Sequence, residues 1–119
     1  MTKLSICIPT KDREKYFTNC INSVAVANKN SKIDLEVCIS DNDSNYDIKN
    51  VISKYEKDLN IKYHKNSRDI GVGLNILKSA SMASGDFVWL IGSDDMLLSK
   101  SLIEVDQLFK QNLEVDFYL

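Results

Sequence analysis

Apolar residues along this chain fall into short continuous runs, separated by stretches in which they recur every three or four positions. Lys3 to Ile8 (KLSICI) is a run of the first kind, and Pro9, with no N–H to give a ladder, ends it. Phe17, Cys20, Ile21 and Val24 follow at i, i+3, i+4 and i+7, the stripe of an amphipathic helix that starts near Arg13. Glu36 to Ser40 (EVCIS) is a second strand-like run, followed by the turn formers DNDSNYD. Ile48, Val51, Ile52, Tyr55 and Leu59 restore the helical spacing, and Ile61 to His64 is a short third strand. Gly71-Val72-Gly73 opens a third helical stripe through Ile76, Leu77, Ala80 and Ala83, with Gly85 placed to cap it. Phe87 to Ile91 (FVWLI) shows no alternation, which predicts a strand covered on both faces. Leu98, Leu102, Val105 and Phe109 mark a fourth helix, in which Ser101 and Glu104 have capping-box spacing. The closing VDFYL reads as the start of another strand, so the chain is expected to be the front part of a longer protein.

Alternating strands and helices predict an α/β fold: a mostly parallel, Rossmann-like sheet with helices on both faces. In such sheets ligands bind outside the carboxyl ends of the strands. The segments at those ends are Pro9 to Arg13, Ser40 to Ser44, Ser67 to Gly71 and Gly92 to Asp95, all polar and most of them acidic. One acidic loop would be ordinary turn chemistry; several on one rim suggest a site. No GxGxxG follows the first strand, and no GxxxxGK[ST] occurs, which disfavours a dinucleotide fold and a P-loop enzyme. No GxSxG elbow supports a hydrolase. Gly71-Val72-Gly73 could bring backbone amides to a phosphate or could be only a tight turn.

Composition narrows the setting. The 119 residues suffice for one core, and 44 % hydrophobic with 27 % charged residues is ordinary globular composition. A net charge of -2 gives no global pull toward nucleic acid. Cys7, Cys20 and Cys38 lack CxxC spacing and read as core thiols in a reducing, cytoplasmic compartment. No run approaches the roughly 18 apolar residues of a membrane span. His64 is alone at a strand end and reads as structural or solvated.

The sharpest chemical feature is Asp94-Asp95, directly behind the most apolar strand. Magnesium and manganese take hard oxygen ligands, often one or two carboxylates completed by substrate phosphates. An Asx turn leading into the next helix accounts for the pair as well.

These segments resemble family 2 glycosyltransferases. LSICIPTKDREKYFTNCINSV is similar to the opening of that family, EVCISDNDS to its second strand and acidic turn, DIGVGLN to its Asn-x-Gly loop, and GDFVWLIGSDDML to the strand leading into Asp-x-Asp. The resemblance covers residues 3 to about 98. It implies a GT-A fold, truncated here to its nucleotide-sugar-binding part over residues 1–119, with a nucleotide-sugar donor (a UDP-sugar first) and Mn2+ or Mg2+. Carried over by position, Pro9 and Thr10 would border the nucleotide and Asp41 would hydrogen-bond its base. Asp69 and Asn75 would sit near ribose and phosphates, Asp12 and Ser93 would belong to the same donor site, and Asp94, with Asp95 assisting, would bind the metal.

The reaction implied is transfer of a hexose-type sugar, usually with inversion, to a glycan or lipid-linked acceptor in bacterial surface polysaccharide biosynthesis. Catalytic base and acceptor half would lie beyond Leu119, leaving a fragment that binds donor and metal only, in a protein that is cytoplasmic or peripheral at the inner membrane. Three positions depart from the family pattern: Gly92 stands where the first Asp of Asp-x-Asp is common, and Asp69 and Asp12 stand where Asn is common. The Gly92 departure favours an alternative, a non-catalytic α/β binding or assembly module. A phosphorelay receiver would need its acidic pair after the first strand, and here the strongest pair follows the fourth.

Overall fold

The computed structural model describes residues 2–111, 114 and 116. Strands and helices alternate as β1 (Lys3–Thr10), α1 (Glu14–Lys29), β2 (Asp34–Asp41), α2 (Ile48–Ile52), β3 (Ile61–Lys65), α3 (Val72–Ser81), β4 (Phe87–Leu90) and α4 (Ser101–Lys110). The strands form one sheet in the order β3-β2-β1-β4, every pairing parallel. This is the expected α/β architecture. The segment VDFYL lies outside the described residues apart from Asp116.

Register sorts the side chains by face. Leu4, Ile6 and Ile8 of β1 stand beside Leu35, Val37 and Ile39 of β2, and pack with Phe17, Cys20, Ile21 and Val24 of α1, Ile48, Val51 and Ile52 of α2, and Leu102 of α4 into the apolar core. The opposite face is built differently. There Ser5 pairs with Glu36, Cys7 with Cys38 and Pro9 with Ser40. The α3 helix covers this face with small and polar side chains, Asn75 and Ser79 being its buried residues.

Several sequence expectations change here. The apolar stripe of α3 is not its buried side: Ile76 and Leu77 are 36 % and 66 % exposed, because the residues that meet the sheet are those that hydrogen-bond its polar face. The expectation that the fourth strand is covered on both faces fails, since Val88 and Leu90 are each 47 % exposed while Trp89 packs against the core. Strand β4 is the sheet's edge, and α3 lies over β1 and β2. The second helix stops at Ile52 and continues as turns, which still bury Leu59. No capping box forms at α4, because Ser101 is already its first helical residue, behind an N-cap Lys100 without a capping side chain. Gly85 does not cap α3, whose C-cap is Met82; a Cβ at Gly85 would stand 2.6 Å from Ser5 Oγ, so the glycine permits the chain to pass close to β1.

Candidate donor and metal site

A parallel sheet sends all its strand C-termini to one edge, and the loops leaving β1, β2, β3 and β4 meet there. Between them lies an open cavity of about 580 Å³ lined by residues of the segments 9–13, 69–76 and 92–94 together with Asn42. Seven sequence-predicted residues line it: Pro9, Thr10, Asp12, Asp69, Asn75, Ser93 and Asp94.

Two predicted residues stand elsewhere. Asp41 is the last residue of β2, shares the register of Thr10, and is fully buried. Its Oδ1 accepts from Ser44 N at 3.0 Å and its Oδ2 from the Tyr63 hydroxyl at 3.2 Å, so it anchors the β2–α2 turn behind the cavity wall. Asp95 closes the turn after β4: its N donates to Gly92 O at 3.1 Å and its Oδ2 accepts from Gly92 N at 3.1 Å.

Asparagines frame the floor. Asn75 Oδ1 accepts from Ser40 Oγ at 2.8 Å and from Asn66 Nδ2 at 3.0 Å, while its Nδ2 donates to Ser40 O at 3.1 Å. Asn42 Oδ1 takes Ile70 N at 2.9 Å and Asn66 Nδ2 at 3.1 Å, and its Nδ2 donates to Asp69 Oδ1 at 2.7 Å. These side chains satisfy one another where the strands end, and so fix the loops after β2 and β3 to the first turn of α3. Gly71, at φ 88°, supplies the left-handed turn into α3, and its N–H donates to Asp69 Oδ1 at 2.8 Å. That bond, with the neighbouring Lys11 ammonium and the Asn42 amide, outweighs desolvation and holds the Asp69 carboxyl below its usual range.

The first loop is strained. Asp12 and Arg13 both have φ 55°, an uncommon conformation for residues with a Cβ. It is held by Asp12 N donating to Ser44 Oγ at 2.7 Å and Asp12 Oδ1 accepting from Asn45 N at 2.8 Å. Thr10 Oγ1 is buried without a hydrogen-bond partner, an unsatisfied polar atom of the kind that binding sites retain.

Asp94 is exposed, lines the cavity, and faces Gly92. A Cβ built on Gly92 would stand 2.9 Å from Asp94 Oδ1 and 3.0 Å from Asp95 Oδ2, so the missing side chain is the space over which the two carboxylates converge. Behind them, the Cys20 thiol reaches Gly92 O at 3.7 Å, and burial together with the charges of Asp95 and Asp94 pushes it up to about 12. It is a neutral support for the turn. Ser23 Oγ accepts from Leu97 N at 2.9 Å and pins the same loop to α1.

Among the described residues no group of three or more His, Cys, Asp or Glu is placed to hold a metal. Asp94 alone, with Asp95 half committed to its turn, fits the sparse carboxylate set of a magnesium or manganese ion completed by phosphate oxygens and water. Lys11, Asn42 and Gly92, which belong to the strand-end segments read from the sequence but carried no assigned donor role there, are also parts of the cavity wall. Each is adjacent or near to a predicted acid, and only the strand ends decide which neighbour faces in. His64 is exposed, beside a separate depression flanked by Tyr46 and Tyr63.

Comparison with known proteins gives this geometry a context. The sequence model of glycosyl transferase family 2 matches residues 5–116. Abequosyltransferase RfbV of Salmonella typhimurium is 40 % identical over 101 residues, which are 83 % of this chain and 30 % of that protein. GalNAc(5)-diNAcBac-PP-undecaprenol beta-1,3-glucosyltransferase of Campylobacter jejuni is 38 % identical over 104 residues, 86 % of this chain and 33 % of its own. Among solved structures, S. aureus TarS 1-349 in complex with UDP superimposes with a TM-score of 0.82 at 27 % identity, over 92 % of this chain and 32 % of that one. The chain thus spans about a third of the length of these three proteins.

Proposed function

The chain belongs to glycosyl transferase family 2, and on that premise we propose that the cleft at the strand ends binds a nucleoside-diphosphate sugar, with UDP-sugars first among the donors, and a divalent cation. The observation that carries this reading is the convergence of four strand-end loops on one cavity with Asp94 on its wall. Similarity to a TarS structure holding UDP supports the choice of uridine. The abequosyl- and glucosyltransferase relatives support transfer of a hexose-type sugar to a glycan or lipid-linked acceptor in building a bacterial surface polysaccharide.

In this proposal Pro9, Thr10, Asp12 and Asn75 border the nucleoside, Thr10 offering its unpaired hydroxyl. Asp69 stands near the ribose and phosphates, Ser93 donates to a phosphate oxygen, and Asp41 acts from behind by fixing the β2–α2 turn. Asp94 would hold Mn2+ or Mg2+, and Asp95 would shape the turn that presents it. A cation so held would supply the positive charge that stabilises the departing nucleoside diphosphate. The acceptor site and the general base that activates the acceptor hydroxyl, usually with inversion, are assigned to the part of the relatives' length that this chain does not cover. The 119 residues then bind donor without transferring sugar.

Isothermal titration with UDP, GDP and dTDP, in manganese and in EDTA, tests the reading: manganese-dependent binding strongest for UDP is expected, and no binding of any of them would overturn it. A second reading, a non-catalytic binding module, is favoured by Gly92 in place of the family's first acid. Asp94→Ala separates the two, because a donor site loses its metal dependence and a module keeps whatever binding it has.

A further inference from the structure

Lys11 stands in the loop between β1 and α1, where the sequence motif gave it no role. Its ammonium lies 3.6 Å from Asp69 Oδ2, 3.3 Å from Asn42 O and 3.4 Å from Asp43 O. The two carbonyl contacts are at the long end of hydrogen-bond geometry and the contact to Asp69 is an ion pair, and the two charged side chains are 41 % and 50 % exposed. Asp69 is anchored through its other oxygen, since Oδ1 receives both Asn42 Nδ2 at 2.7 Å and Gly71 N at 2.8 Å. Its Oδ2 therefore faces Lys11 in a fixed place. Both residues line the cavity, whose other charged walls are Asp12, Arg13 and Asp94.

An incoming diphosphate meets three carboxylates on these walls. Asp94 is matched by the proposed cation, and Asp12 is tied to the backbone N–H of Asn45. Asp69 has Lys11. Without that ammonium, a fixed, ionised carboxylate would stand bare in the cleft and repel the donor's phosphates, in surroundings where charges are less screened than in bulk water.

We infer that Lys11 is a positioning residue of the donor site: by pairing with Asp69 across the cleft mouth it neutralises that acid, and so makes the cleft selective for nucleoside diphosphates over uncharged nucleosides. The inference rests on the donor-binding reading above. It explains why an acid is accommodated at position 69, since the acceptor-only Asp69 takes hydrogen bonds from Asn42 and Gly71 and faces the Lys11 ammonium.

The test is titration of UDP and of uridine into wild type, Lys11→Met, Lys11→Arg and Lys11→Met/Asp69→Asn, with manganese present. Lys11→Met is expected to raise the Kd for UDP about fivefold and to change that for uridine by less than about twofold. Lys11→Arg should keep near wild-type affinity. Asp69→Asn retains the Oδ1 acceptor while removing the charge, so the double variant should recover most of the loss. Equal UDP affinity in wild type and Lys11→Met overturns the inference while leaving the donor site standing. So does a double variant no better than Lys11→Met, which would make the loss structural. Failure of wild type to bind UDP overturns the donor reading and this inference together.

Discussion

Gly92 acts through what it lacks. At the position where the family resemblance would place the first acid of Asp-x-Asp, a hydrogen leaves room for Asp94 and Asp95 to fold back over the turn, and even a methyl would crowd both carboxylates. The obstructing atoms are ends of mobile side chains, so the fold should tolerate the change while the carboxylates move apart. Gly92→Ala is therefore expected to shift stability by less than about 1 kcal/mol in a thermal melt yet weaken manganese-dependent UDP binding about tenfold, or ~1.4 kcal/mol. Unchanged affinity would show that the convergence of the two acids is incidental. The same scale explains one limit of the sequence. Asp41 and Asn42 are neighbours in a turn-forming cluster, but β2 runs through Asp41 and turns its side chain to the core face beside Thr10, which leaves Asn42 to line the cleft. Strand alternation makes a one-residue difference in strand length decide which face of the sheet a side chain takes, and turn composition does not fix strand length that finely.

Elements were legible where their apolar stripe is answered within the chain. The α1 stripe of Phe17, Cys20, Ile21 and Val24 is fully buried as its spacing predicts. The α3 stripe is not, because periodicity marks a face suited to burial without naming what covers it, and this sheet presents α3 with Ser5, Glu36 and Ser40. Glu36 is the centre of that polar face and is wholly buried. It accepts from Ser5 Oγ, from Ser84 N at 2.6 Å and Ser84 Oγ at 2.8 Å, and pairs with Lys3 at 3.2 Å and Lys62 at 3.0 Å. One carboxylate thus joins β1, β2, β3 and the turn into β4, at the end of the sheet away from the cleft. Burial pushes its pKa up, but hydrogen bonds from Ser5, the Ser84 backbone, Lys62 and the Ser84 hydroxyl outweigh burial and leave it far below its ordinary 4.5. A depressed folded-state pKa stabilises above the unfolded value and loses that contribution as pH falls through the folded one. Stability should therefore hold above pH 4.5 and decline progressively below it. Glu36→Gln should cost about 1–3 kcal/mol at neutral pH in urea titration and flatten that acid decline; a Gln variant with wild-type stability and wild-type acid sensitivity would contradict the role.

For the whole molecule, alternating strand and helix patterns predicted a parallel sheet, and parallel connections bring every strand end to one rim, so the site's location was legible before its contents were. What could not be read is mutual: the asparagine network joining Asn42, Asn66 and Asn75, the Lys11–Asp69 pair, and the support of Gly92 by Cys20 all link residues far apart in sequence through contacts that periodicity does not encode. Donor and cation are proposed to meet at the turn after β4 within the rim cleft. Backbone amide NMR of the 119-residue chain, titrated with UDP and then trace Mn2+, tests it most directly. UDP-dependent paramagnetic broadening centred on Gly92 to Asp95, with UDP-induced shifts in Thr10 to Arg13 and Asp69 to Asn75, is the expected result. Shifts confined to the Tyr46–Lys65 depression, or broadening of residues 92–95 that ignores UDP, would contradict it.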